Sequence, residues 1–198
     1  MSWLVSRIQQ KESPVGQNKQ YAAEILAIIL QSSPENRKKF ASSDGVDTLL
    51  QLLSFYRKRD PEKDSDEEEY VENLFDCLVC VVDEEEGKAK FLEAEGLELI
   101  QIMLREGKLS KQRALRVLDH ALSGPTGAAG CEHLVEIAGL RTIFGMFMKK
   151  ASTLSEVVWL VLTTAAARNR SYRASIRRIC LTPTTFAWRI RSANTYSC

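Results

Sequence analysis

The sequence predicts an all-α protein built as a solenoid of stacked helical repeats. Apolar residues recur with helical period along most of the chain, and no alternating run of strand length appears before residue 150. One signal also occurs three times: an apolar residue, then a glycine five positions later, then an amphipathic stretch.

The first long helix is expected over about residues 20–31, where Tyr21, Ile25, Ile28 and Ile29 fall at i, i+4, i+7 and i+8. The second is expected over 69–82, with Val71, Leu74, Phe75, Leu78 and Val82 on its apolar face. The third is expected over 110–122, with Leu115, Leu118 and Leu122. Each precedes one copy of the repeated signal: FASSDGVDTLLQLLSF from Phe40, FLEAEGLELIQIMLRE from Phe91, and LVEIAGLRTIFGMFMK from Leu134. The glycines are Gly45, Gly96 and Gly139, and apolar residues follow each at one, four, seven and eight positions. Glycine readily adopts the left-handed conformation that ends one helix and turns the chain into the next, so each glycine is expected to be that turn. Three helices per unit, repeating at 51 and 43 residues between glycines, suggest an armadillo-type repeat, with a HEAT repeat as the close alternative.

Between the first two units lies RKRDPEKDSDEEE, almost wholly charged, where Pro61 breaks the preceding helix. The run reads as a solvated insertion on one rim; the alternatives are a contact for a basic partner or a kinase site at Ser65. Residues 1–150 are read as the repeat domain and 151–198 as a divergent tail. The tail holds 13 Ser/Thr, seven arginines, no lysine and one acid, with no glycine and no repeat signal. It is expected to be poorly ordered or partly helical, with roughly 154–180 compatible with helix.

The chain of 198 residues, 44% hydrophobic and 27% charged, has the composition of an ordinary folded protein. The net charge of +1 divides into −5 over residues 1–150 and +6 over 151–198. The longest apolar runs, such as Val157–Leu162, are far shorter than the roughly 18 residues of a membrane span. The N-terminal stretch has no signal-peptide pattern. Five cysteines without such a signal point to reduced thiols in a cytosolic or nuclear protein.

Three kinds of chemistry could use these residues. Cys77 and Cys80 form C-x-x-C, and Cys131, His133 and His120 could complete a zinc set. Cys77 and Cys80, however, sit within an apolar helix, where cysteine is a small core residue. Gly124, Gly127 and Gly130 match no phosphate-loop spacing, and Gly124–Pro125 reads as a helix stop. His120 is expected to cap or pack rather than transfer protons, and no nucleophile sits in a strained turn. No cofactor, metal or catalytic residue is therefore expected.

The stretch from Leu118 to Lys149 carries a specific resemblance. Leu118–Ala121, Gly124–Gly127, Cys131, Gly139–Phe144 and Phe147–Lys149 match the pattern of the beta-catenin-like nuclear armadillo-repeat family, associated with the spliceosome. Collinear matches extend the resemblance over about residues 3–149: AEILAIILQ at 23–31, ENR at 35–37, ENLFD at 72–76, AEGL at 94–97 and MLRE at 103–106. It implies a right-handed superhelix without enzymatic activity, resident in the nucleus. Such a protein would act as an adaptor in pre-mRNA splicing complexes and bind basic, localisation-signal-like segments of partner proteins. The resemblance stops near Lys150. The chain is therefore expected to be a fragment or variant whose uncapped terminal repeats expose apolar surface and could self-associate.

On this reading the helix after each glycine should line a groove, presenting Asp47, Gln51, Glu98, Gln101, Arg105 and Arg141 to a partner. Asp47 and Glu98 suit a basic segment. Arg141 reads equally as a solvent-facing helix-start residue or as a groove contact. Membrane association is not expected, nor is direct nucleic-acid contact by the repeats. The rival reading is RNA binding through the arginines of 168–191.

Overall fold

Helices dominate the computed structural model, which describes residues 1–107 and 110–149, and no strand occurs among the described residues. The chain forms two compact units, Met1–Gly130 and a second beginning at Cys131. In order the helices are α1 (Ser2–Gln9), α2 (Gln17–Ser32), α3 (Pro34–Ser42), α4 (Gly45–Ser54), α5 (Asp66–Val82), α6 (Glu85–Glu93), α7 (Gly96–Glu106) and α8 (Ser110–Leu122). A 3-10 turn at Pro125–Gly127 then leads to α9 (Ala128–Glu136) and α10 (Gly139–Lys149). A long helix, a short helix and a glycine-led helix thus recur three times, and the three long helices fall where periodicity put them. The short N-terminal helix α1 was not anticipated. Residues 151–198, with the expected tail and its arginines, lie outside the described residues.

The repeated glycines do not act as expected. The left-handed residue is the one before each: Asp44 at φ 55°, Glu95 at φ 56° and Ala138 at φ 57°. Gly45, Gly96 and Gly139 are instead the first residues of α4, α7 and α10. A β-carbon on Gly45 or Gly96 would collide with the ring of Phe40 or Phe91, and on Gly139 with the Leu134 side chain. It would also stand 2.6, 2.7 and 2.9 Å from the backbone oxygens of those same three residues. Glycine is required here for close approach, and the apolar residue five positions earlier is its contact.

The acidic run is also less of an insertion than its charge suggested. Asp66, Glu67, Glu68 and Glu69 form the first turn of α5, where negative charge complements the helix dipole. Ser65 is the N-cap: its Oγ accepts from the Glu68 backbone N–H at 3.2 Å and donates to the Glu62 carbonyl at 2.6 Å.

Within the first unit α2 lies along α5, and α5 along α8, forming a layer of long helices. The α2 face in this layer is Ala22, Ala23, Leu26, Ala27 and Leu30, not the expected Tyr21, Ile25, Ile28 and Ile29. Tyr21, Ile25 and Ile28 are 51%, 47% and 56% exposed. The physical reason is size: α2 carries two apolar stripes, and the alanine-rich one allows its backbone closer to α5. Along α5 the five expected residues are all buried. On α8, Leu118 and Leu122 are buried and Leu115 is half-buried.

Polar ties at corresponding places join successive repeats. Arg37 of α3 donates to Glu84 Oε1 at 2.8 Å and to the Leu30 carbonyl at 3.2 Å. Lys88 of α6, 51 positions on, donates to the Ser123 carbonyl. Each cation thus reaches the turn that follows the next long helix. The Tyr70 hydroxyl donates to the Ile8 carbonyl at 2.9 Å, anchoring α1 to the core.

Candidate partner-binding face

The long helices share one packing register. Adding 51 to six of the seven buried positions of α2, Lys19, Gln20, Ala23, Leu26, Ala27 and Leu30, gives Tyr70, Val71, Leu74, Cys77, Leu78 and Val81 of α5, all buried. Adding 40 to Tyr70, Leu74, Cys77, Leu78, Val81 and Val82 gives Ser110, Ala114, Val117, Leu118, Ala121 and Leu122 of α8, again all buried. Outward positions can be matched by the same offsets. Tyr21 corresponds to Glu72 and Gln112, and Ile25 to Asp76 and Arg116.

The outward face of this layer is therefore zoned by helix. On α2 it is apolar: Tyr21, Ile25 and Ile28 form one stripe at i, i+4 and i+7. On α5 it is acidic: Glu68, Glu72 and Asp76, followed by Asp83 just past the helix end. On α8 it is basic, and the two charged rows meet. Arg113 lies 3.6 Å from Glu68 and 3.2 Å from Glu72, Arg116 bonds Asp76 at 2.9 Å, and His120 Nδ1 lies 2.7 Å from Asp83. The Asp76–Arg116 bond joins equivalent positions on neighbouring helices, as the register requires. The Arg116 side chain is 62% exposed, so its pair with Asp76 contributes at most about 1 kcal/mol.

Within the first unit, the residues expected to line a groove stand on two helices, α4 and α7. Asp47 and Gln51 are exposed on α4 and bond to each other at 2.7 Å. Asp47 also borders a hollow of about 210 Å³ with Asp44, Lys90 and Glu93. On α7, Glu98 and Gln101 are half-buried and Arg105 is exposed. Arg141 is exposed on α10, in the second unit. Helices α4 and α7 touch only slightly, whereas the long helices lie side by side.

The chemical candidates resolve into packing. Cys77 is buried against α2, its thiol 3.9 Å from the Ala23 carbonyl, and burial pushes its pKa well above the ordinary thiol value. Cys80 is half-buried and its pKa is raised by the same cause. Among the described residues no group of three or more His, Cys, Asp and Glu is placed to hold a metal ion. His133 Nδ1 lies 3.4 Å from Glu136 on its own helix. Gly124, at φ 72°, follows the end of α8 as a helix stop should. A β-carbon on Gly127 would strike the Leu122 backbone, and one on Gly130 would come within 3.0 Å of the Leu122 side chain. These glycines serve close packing at the α8 turn.

A larger hollow, about 660 Å³, opens between the α1–α2 connection and the start of α5. Four of its charged side chains, Glu12, Lys19, Arg59 and Glu67, are already engaged. Glu12 pairs with Arg7; Glu67 accepts from Arg59 at 3.0 Å and from the Tyr56 hydroxyl at 3.1 Å. Buried Lys19 donates to the Gln10 carbonyl at 2.7 Å and lies 4.8 Å from the Tyr70 ring centre. Burial lowers its pKa.

The repeated order of a long helix, a short helix and a glycine-led helix is that of an armadillo-type repeat protein. The family model described as catenin-beta-like, Arm-motif containing nuclear matches residues 1–159, and the chain belongs to that family. It is 45% identical to rat Beta-catenin-like protein 1 over 157 residues, which are 79% of this chain and 28% of that protein. It is 44% identical to the human protein over the same shares, and 43% identical over 160 residues to the Schizosaccharomyces pombe homolog, covering 80% and 28%. The chain thus spans little more than a quarter of these curated relatives. The crystal structure of an engineered protein superposes with a TM-score of 0.66 at 18% identity, covering 98% of this chain and 78% of that one, a likeness of fold alone.

Sequence reasoning missed the face of α2 and α5. The signal was present: the 51-residue spacing of Gly45 and Gly96, applied to the preceding helices, aligns Ala23, Leu26 and Leu30 with Leu74, Cys77 and Val81. That leaves Tyr21 and Ile25 beside Glu72 and Asp76, on the outside.

Proposed function

We propose that this chain is a non-enzymatic scaffold acting in the nucleus within pre-mRNA splicing complexes, where it holds basic, localisation-signal-like segments of partner proteins. The family description supports the nuclear setting. The observation that carries the binding role is the face of the long helices: an exposed apolar stripe on α2 beside an acidic row on α5. A basic segment with apolar residues matches both zones, burying apolar area on one and placing charge on the other. The docking surface is assigned to α2 and α5 in preference to Asp47, Gln51, Glu98, Gln101, Arg105 and Arg141, because α2 and α5 lie side by side whereas α4 and α7 touch only slightly.

Titration of the chain with a labelled lysine- and arginine-rich peptide tests this. The double variant Glu72→Lys, Asp76→Lys should weaken binding at least tenfold at low salt, while Asp47→Lys, Glu98→Lys leaves it within about twofold. The opposite ranking moves the site to α4 and α7. No binding by the unmodified chain at low salt would defeat the scaffold reading for basic segments.

A further inference from the structure

We infer a recognition pattern for this face: an extended segment in which a bulky apolar residue and a cationic residue stand about three apart. The apolar side chain rests on Tyr21, Ile25 and Ile28, and the cation takes Asp76 in place of Arg116. The inference rests on the basic-segment reading above and adds its spacing and its internal competitor.

Neighbouring packed helices lie about 8–10 Å apart, and an extended chain advances about 3.3 Å per residue, so crossing from α2 to α5 takes about three residues. Ile25 and Asp76 hold equivalent positions on the two helices, so a segment crossing the layer meets them in succession. The charge of the occupant follows from the ladder. Four carboxylates, Glu68, Glu72, Asp76 and Asp83, face two arginines and one histidine on α8. The exposed Glu72 side chain and the negative balance of residues 1–150 favour an incoming cation further.

Arg116 already occupies Asp76 as such a cation would. A partner arginine therefore exchanges one accessible ion pair for another, with little net gain. Affinity comes from the apolar residue on α2, and the cation sets the register. Removing Arg116 should then tighten binding, the reverse of what loss of a contact residue does.

The test uses the full 198-residue chain and Gly/Ser peptides carrying one tryptophan and two adjacent arginines, the nearer arginine standing one, three or six positions from the tryptophan, in either order. NMR titration reads the affinities. The three-residue spacing should bind tightest, Arg116→Ala should tighten it about two- to fivefold, and Ile25→Asp should abolish it. Both substituted side chains are outward-facing, and the amide spectrum reports whether the fold is kept. Binding by the unmodified chain without spacing preference, or unchanged by Arg116→Ala, overturns the inference and leaves the basic-segment reading standing. Equal or tighter binding of a glutamate-for-arginine peptide, or no binding of any peptide, overturns both. A dimer that is lost with Ile25→Asp and that peptides do not displace assigns the stripe to a second copy of the chain, and also overturns it.

Discussion

The ring of Phe91 occupies the space in which a β-carbon on Gly96 would stand, while the left-handed turn before α7 is made by Glu95. The same division of labour holds for Phe40, Asp44 and Gly45. Glycine's lack of a side chain and its backbone freedom are used at different places, and here only the first is used.

Two substitutions at adjacent residues should therefore move stability in opposite directions. Gly96→Ala forces the Phe91 ring and its carbonyl aside and should cost about 1–3 kcal/mol. Glu95→Gly relieves left-handed strain of roughly 1–2 kcal/mol against an entropic loss of about 0.5–1, and should be neutral or slightly stabilising. Urea denaturation midpoints check both. A tolerated Gly96→Ala would remove the close contact with Phe91 as the reason for glycine at this position.

The Tyr70 hydroxyl is the polar anchor of α1, through the Ile8 carbonyl. Tyr70→Phe leaves that carbonyl unsatisfied and should lower stability by about 1–2 kcal/mol. Amide exchange should show the loss concentrated in α1.

Burial raises the pKa of both Tyr56 and Tyr70, and for Tyr56 the Glu67 carboxylate adds to it. Their folded pKa values exceed the unfolded value of about 10. Their contribution to stability is thus fully present below that pH and is lost as pH rises through the folded values. The melting temperature should fall above about pH 10, less steeply in a Tyr56→Phe, Tyr70→Phe variant. Identical alkaline slopes for the variant and the unmodified chain would remove these phenols as the cause.

Cys80 is half-buried whereas Cys77 is sealed between α2 and α5. A maleimide at neutral pH should label Cys80 first and reach Cys77 only on unfolding, because burial keeps its thiol protonated. Peptide mapping by mass spectrometry reads the order. Early labelling at Cys77 would mean that the α2–α5 seam opens readily.

Much of the fold was legible in the residues. The long helices, the triplet order and the three glycine signals follow from period and spacing, because a helix that buries one face must repeat every three to four residues. The role of the glycines was not legible, since a turn glycine and a contact glycine leave the same letter in the sequence. Nor was the buried side of α2. Hydrophobicity ranks Ile25 and Ile28 above Ala22, Ala23 and Ala27, yet close helix contact selects the smaller residues. That misreading also hid the candidate site, because residues assigned to the core were the ones left on the surface.

The register of 51 and 40 residues separates two alphabets along the long helices. One set of positions is constrained by the neighbour each helix must fit. The other, holding Ile25, Asp76 and Arg116, is free to be greasy, negative or positive without disturbing that fit. Binding preference can therefore be rewritten one helix at a time, by evolution or by design, while the stack beneath stays the same.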